Sequence, residues 1–313
     1  MAWEGHPPDM INFLLHILLV LALPPLLPGV INKTKAFFAG RTGAPLAQVY
    51  YDLWKLVQKG SVFSETTTWV FKFGPVIGLA TALLAAMIVP LGEHDAPLSF
   101  TGDLVLFAYL LGLGRFFTVL AALDTGSAFE GMGSAREATY ACLAEPVLFF
   151  GLLVLAKISG SLRLAGMLDT SLEAQWGTAG AGMLLILASW FVLLLVENCR
   201  IPFDDPNTHL ELTMIHEVMV LDHSGPALSL IVYGAAVKLF VFAALIVQLS
   251  VPLATGVGLV DWVVFVAGVL AVAVVVGVVE SGMARLRLVS LPHLLIAAVV
   301  LSALGLVLII AYA

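Results

Sequence analysis

Five ionisable side chains fall in or at the ends of long apolar segments, and each needs a physical reason to be there. Arg115 and Lys238 lie inside such segments, while Glu145, Glu197 and Glu280 stand at their ends. A charge placed in hydrocarbon costs on the order of 3 kcal/mol or more. A row of carboxylates along a buried aqueous path can pass protons, and cations threaded among them tune when each acid ionises. The plainer reading is that the glutamates are solvated helix ends and that the two cations reach out to the interface. For Arg115 and Lys238, which lie deeper, a carboxylate partner in the interior is the better expectation.

A second concentration of chemistry lies in residues 196–226, between two apolar segments. It holds Glu197, Arg200, Asp204, Asp205, His209, Glu211, His216, Glu217, Asp222 and His223. Asp205-Pro206 reads as an N-cap followed by proline at the first helical position, and Thr208-x-x-Glu211 as a capping box. On the helix this predicts, His209 and His216 share a face but stand about 10.5 Å apart along the axis. That spacing is too wide for one metal with bonds of about 2 Å. Partner contacts or proton transfer near neutral pH suit the two histidines better. No His-Glu-x-x-His, phosphate loop, dinucleotide fingerprint or serine-type triad occurs with the right flanks. Cys142 and Cys199 are too few and too far apart for an iron–sulfur cluster or a zinc site of their own. The sequence thus predicts no catalytic centre and no bound metal.

The elements that must position these groups follow from composition. The 313 residues are 61% hydrophobic and only 11% charged, with a mean hydropathy of +1.05. Soluble domains are about a quarter charged. Repeated apolar runs of about 20 residues mean a polytopic membrane protein instead. The net charge of -7 excludes a phosphate-tracking basic surface, and with it nucleic-acid binding. The first apolar run lacks a basic leader and is read as a span rather than a cleaved signal.

Eight spans are expected, at residues 10–31, 69–91, 104–123, 146–158, 181–196, 227–249, 262–279 and 291–312. Each should be helical, because hydrocarbon cannot satisfy free backbone amides. The fold class is therefore all-α: one membrane domain, a bundle of about eight transmembrane helices, with amphipathic helices on its cytoplasmic side. Ten lysines and arginines lie on the side of the loops after spans one, three, five and seven, against two on the other side. The positive-inside rule makes loops 32–68, 124–145, 197–226 and 280–290 cytoplasmic and puts both termini outside. Within the first loop, residues 44–59 place Leu46, Val49, Tyr50, Leu53 and Val57 on one helical face, as a surface helix would. No broken-helix pair in matching halves marks a secondary transporter.

The run Glu197-Asn198-Cys199-Arg200-Ile201-Pro202-Phe203-Asp204-Asp205-Pro206 resembles the E-x-x-R-x-P-F-D-x-P signature of the respiratory complex I subunit 1 family. Glu211-Leu212 matches an E-L that follows it there. Arg136 and Glu145 match an arginine and a glutamate at the same spacing, and Gly40-Arg41-Thr42-Gly43 with Lys55-Leu56 is similar to the first cytoplasmic loop. Other stretches depart from the complex I pattern: Asn207 to Glu217 lacks the acid-rich run, Lys59-Gly60 lacks a following glutamate, and Asp124-Thr125-Gly126-Ser127 replaces a tryptophan-containing turn. In these departures the chain looks like the membrane-anchor subunit of group 4 nickel–iron hydrogenases, the formate hydrogenlyase subunit 4 and hydrogenase-4 component C type.

The resemblance implies a non-catalytic subunit in a prokaryotic plasma membrane, without a redox centre of its own. Nickel–iron and iron–sulfur centres would belong to partners: hydrogenase large and small subunits and a ferredoxin-like iron–sulfur subunit on the cytoplasmic loops, with antiporter-like membrane subunits alongside. It assigns Glu145, Glu197, Asp204 and Glu211 to a proton path, to which the charges in the apolar segments add Glu280, Lys238 and Arg115. Docking falls to Arg41, Arg136, Arg200, Asp205, His209, His216 and Glu217. Two other readings stay open. One is the quinone-binding subunit of an NADH-quinone oxidoreductase, against which the departures weigh; the other is a stand-alone ion transporter.

Overall fold

The computed structural model describes residues 10–169, 171–205, 214–250 and 257–312. Among these residues the chain is helical throughout, with one isolated bridge between Leu91 and His94 and no strand. The helices are α1 (Met10–Ala22), α2 (Leu26–Phe38), α3 (Gln48–Val57), α4 (Trp69–Ile88), α5 (Asp103–Asp124), α6 (Ala128–Ser159), α7 (Leu164–Met167), α8 (Ser171–Glu197), α9 (Gly225–Ser250), α10 (Gly258–Gly282) and α11 (Leu291–Tyr312). Short 3-10 turns occupy Glu217–Val220 and Leu288–Ser290. Among the described residues, seven helices are long and apolar enough to cross a membrane, and an eighth span arises if the bent pair α1 and α2 counts as one.

The bundle is built around α9. Its residues from Ala236 to Leu249 are buried almost without interruption, Lys238 being the half-buried exception. A helix apolar on all sides belongs at the centre of a bundle. The neighbours α4 and α10 pack against it, α5 backs α4, α2 backs α10, and α11 covers α6 and α8. The outer helices show the opposite pattern, exposing their large apolar side chains in stripes. Ile296, Val300, Leu304, Val307 and Ile310 form such a stripe on α11, as do Met10, Ile11, Leu14, Leu18 and Leu21 on α1. Recurrence at three- and four-residue steps makes each stripe one continuous lipid-facing face.

Several boundaries differ from those the sequence predicts. The first span is not one straight helix from 10 to 31: it breaks after Ala22, bends by 51° and runs on to Phe38. Pro24 and Pro25 supply the break, because proline removes a backbone donor and clashes with the preceding turn. The fourth span is far longer than 146–158, since α6 starts at Ala128 and continues through Pro146. Much of the expected loop 124–145 is therefore helix, and Glu145 lies within α6 rather than at its mouth. In a membrane helix an internal proline is tolerated where neighbours hold the flanks, and α8 and α11 do so here. The fifth span begins earlier than 181 and carries a kink at Ala179, where the backbone of α8 leaves the helical region.

The surface helix also differs in face. Val49, Tyr50, Leu53 and Leu56 are its half-buried positions, whereas Leu46 and Val57, placed on that face by the sequence, are exposed. α3 packs on α9 and α2, and the Tyr50 hydroxyl donates to the Ala22 carbonyl at the α1–α2 break. Most of the predicted helix after Asp205, with Glu211 and His209, lies outside the described residues. Its far end is not α-helical: Met214 and Ile215 are irregular, and His216 opens into the 3-10 turn.

Close packing of α6 on α8 depends on Gly151, where a side chain would overlap the buried Trp190 indole. We expect Gly151→Ala to destabilise the protein by about 1–3 kcal/mol, the usual range for overpacking. Gly112→Ala on α5, where nothing lies within 4 Å of an added methyl, should be neutral or stabilising by up to ~1 kcal/mol. Thermal unfolding of both variants in detergent checks this, and equal effects would contradict the packing.

Candidate functional site: a buried charge hub at one end of the bundle

Arg115, well inside α5, is the centre of the site. Its Nη1 donates to Glu145 of α6 at 2.8 Å, its Nη2 bonds Glu197 at the end of α8, and its Nε lies 3.5 Å from Glu137 of α6. Lys238 of α9 closes the arrangement, its Nζ 2.7 Å from the other oxygen of Glu197. Four helices thus contribute to one hub of three carboxylates and two cations. Arg115 and Glu197 are nearly enclosed, whereas the Glu145 side chain is half exposed. A planar guanidinium with five donors suits a hub with several acceptors, which a lysine could not serve alike.

The hub borders a partly open cavity of about 120 Å³ between α4, α5, α9 and the Glu217–Val220 turn. Apolar walls come from Leu79, Leu110, Leu111 and Ile231, and polar groups from Arg115, Glu137, Glu197, His216, His223 and Lys238. This volume has room for several waters among groups that can hydrogen-bond them. His223, stacked on Phe71 with centroids 3.9 Å apart, is pushed down to about 4 by burial and is neutral near pH 7.

A second hub lies on the other side of the same chain segment. Glu280 of α10 is fully buried and accepts Lys35 Nζ at 2.8 Å, with Arg200 Nη1 at 3.5 Å. Asp204 is buried too: Arg285 Nη2 reaches it at 2.9 Å, and it accepts the backbone amides of Asp205, Ile215 and His216. The Leu286 amide donates to the Pro202 carbonyl, and Arg136 donates to the Met214 carbonyl. These contacts fold residues 198–205 and 214–216 onto α6 and the 283–287 segment. Cys199 turns the chain with φ of 51°, in the left-handed region that few residues other than glycine adopt.

The expected site residues therefore divide. Arg115, Glu145, Glu197 and Lys238 form one hub. Glu280 joins Arg200, and Asp204 sits apart with Arg285. Arg136 and Arg200 use charge or donors within the chain, fixing the loop. Arg41 is exposed, Asp205, His216 and Glu217 are half-buried, and Glu211 and His209 fall outside the described residues. Sequence reasoning missed Glu137, Lys35 and Arg285. Glu137 had a legible signal once α6 is seen to be continuous, because it lies two turns before Glu145 on the same i, i+4 ridge.

Comparison with known proteins agrees with this architecture. The NADH dehydrogenase family pattern matches residues 11–311. Hydrogenase-4 component C of Escherichia coli is 34% identical, over 90% of this chain and 89% of that protein. Formate hydrogenlyase subunit 4 of the same organism is 30% identical, over 90% and 92%. In fold, the chain is similar to a chain of the membrane-bound sulfane sulfur reductase, an archaeal respiratory membrane complex, with TM-score 0.81, 21% identity and coverage of 96% and 98%.

Removing one partner of a buried ion pair strands the other and costs about 3–5 kcal/mol. Arg115→Met strands carboxylates on two helices, whereas Lys238→Met leaves Glu197 its arginine. Arg115→Met should therefore unfold at clearly lower temperature in detergent, and adding Glu197→Gln should recover part of the loss. A larger loss for Lys238→Met would contradict the central place of Arg115. With its family pattern spanning nearly the whole length, this chain belongs to the NADH dehydrogenase subunit 1 family, as a multi-pass membrane subunit similar to those of complex I-related hydrogenases.

Proposed function

We propose that this chain is the non-catalytic membrane subunit of a complex I-related, membrane-bound hydrogenase of the formate hydrogenlyase kind. In this reading it anchors a soluble redox arm and couples electron transfer to ion translocation. The carrying observation is the buried hub of Arg115, Glu137, Glu145, Glu197 and Lys238, beside the loop of the family signature. Nickel–iron and iron–sulfur centres reside in the partners: hydrogenase large and small subunits and a ferredoxin-like iron–sulfur subunit. These dock on the cytoplasmic face, with Arg41 among the exposed groups offered to them, and antiporter-like subunits pack alongside in the prokaryotic plasma membrane.

Coupling at such a hub is electrostatic. A unit charge arriving about 15 Å away acts on a carboxylate with about 1 kcal/mol at an effective dielectric of about 20. That amounts to a several-fold change in proton occupancy, since one pKa unit corresponds to about 1.4 kcal/mol. Larger effects arise if a partner cation moves, because the ion pair itself is then exchanged. Glu145, half exposed and held by one arginine contact, is the least confined member. Glu197, held by two cations, is the member that feels a change in either.

Affinity purification of the tagged chain from its native membrane in mild detergent tests the reading. Co-purifying hydrogenase-type subunits with nickel and iron are the expected result; a monomer alone would overturn it. The cavity favours a second reading as a quinone-binding subunit, and stoichiometric quinone in a solvent extract of the purified complex would shift weight to it. Glu197→Gln keeps volume and removes charge, so it should leave the complex assembled and lower ion translocation per turnover at least several-fold. Unchanged translocation would remove Glu197 from the path.

A further inference from the structure

The cavity beside the charge hub carries a second grouping that shares only Glu137 with the ion-pair network. Glu137 of α6, Cys199 in the turn after α8, and His216 ahead of the Glu217–Val220 turn bring a carboxylate oxygen, a sulfur and an imidazole nitrogen within 4.8 Å of one another. All three residues line the cavity. Sixty-two residues separate the first two and seventeen the last two, so no local spacing pattern announces the group.

We propose that Glu137, Cys199 and His216 form a binding site for one zinc-class divalent cation. The donor set is the first argument. Mixed oxygen, nitrogen and sulfur ligation suits a borderline-soft tetrahedral ion, whereas magnesium and calcium take oxygen donors. Geometry is the second. Bonds of about 2.0–2.3 Å put tetrahedral ligand atoms about 3.3–3.8 Å apart, so the observed grouping closes with side-chain movements of about an ångström. A fourth position faces the cavity, which has space for a water ligand. Backbone placement is the third. The left-handed turn at Cys199 fixes where its Cα lies, while the Asp204 carboxylate holds the His216 amide at 3.3 Å.

The hub sets three carboxylates against two cations, and Glu137, the most loosely held of the three, carries the uncancelled charge to the ion. Binding releases the Cys199 thiol proton to solvent, and the thiolate becomes the sulfur ligand. Glu137 must turn from Arg115, a step eased by the 3.5 Å separation and by the two carboxylates that Arg115 retains. The bound ion would clasp α6 to both sides of the signature loop and remove one acid from the arginine hub. Ion occupancy would thus regulate the segment on which the proposed coupling depends.

The full-length chain in detergent, with a tag free of histidines, is titrated with cobalt(II) and then with zinc against a competing chelator. One equivalent of cobalt with a thiolate-to-metal charge-transfer band is expected, displaced by zinc. Cys199→Ser should abolish the band and weaken zinc at least tenfold, and His216→Gln should weaken zinc to a similar degree. Cys142→Ser, which alters the exposed cysteine, should change nothing. Absence of the band in the wild-type chain overturns the site whatever the variants do. Zinc affinity that survives both Cys199→Ser and His216→Gln in folded protein overturns it as well.

Discussion

An arginine in the middle of an apolar span cannot be left alone. Arg115 occupies that position in α5, and its charge sets conditions on every helix around it. Two carboxylates must come from α6 and one from α8, at distances fixed by a planar guanidinium. A rotation of one residue, about 100° on a helix, would carry any of them out of reach. The apolar surfaces of these helices are similar enough to slide or turn against one another with little penalty in lipid. The charges supply the register that grease does not.

The same demand explains what the sequence could and could not disclose. Eight apolar segments follow from composition, because a span needs about 20 apolar residues in any fold. The expectation of interior carboxylate partners for Arg115 and Lys238 follows from the penalty on an isolated charge, and Glu197 meets it for both. Partner identities beyond that were hidden by helix boundaries. Reading Pro146 as a helix start removes Glu137 from consideration, since it then falls in a loop. Lys35 and Arg285 are remote in sequence from Glu280 and Asp204 respectively, and no periodicity links residues that meet only after the bundle closes. The surface helix failed in a different way: its amphipathic pattern is real, but α9 and the α1–α2 break choose the face, and Tyr50 settles it.

Glu197 and Arg200 are three residues apart, yet they serve different hubs. α8 ends at Glu197, the chain reverses at Cys199, and Arg200 then points to Glu280, which Lys35 also holds. Asp204, four residues further, takes Arg285 and three backbone amides. One short segment therefore ties α5, α6 and α9 on one side to α2, α10 and the 283–287 segment on the other. Ion pairs this enclosed contribute more to uniqueness of arrangement than to net stability, because desolvation offsets much of their attraction. Specifying one geometry for a loop that, on the proposed function, a partner recognises is a use that fits their cost.

This geometry also limits how protons could move through the hub. Both Glu197 oxygens are taken by cations, one by Arg115 and one by Lys238. Protonating that carboxylate would weaken both contacts, so on the proposed path it is favoured when one cation moves away. Glu145 has a single arginine contact and a half-exposed side chain, so it is less confined than Glu197. A relay of the proposed kind would therefore depend at Glu197 on the positions of two cations as well as on the acidity of the group. Such a relay would respond to anything that displaces Arg115 or Lys238, and Arg115 is tied through Glu137 and Glu145 to α6, against which residues 214–220 pack. On the proposed function, movement of the signature loop would by this path shift charge in the hub.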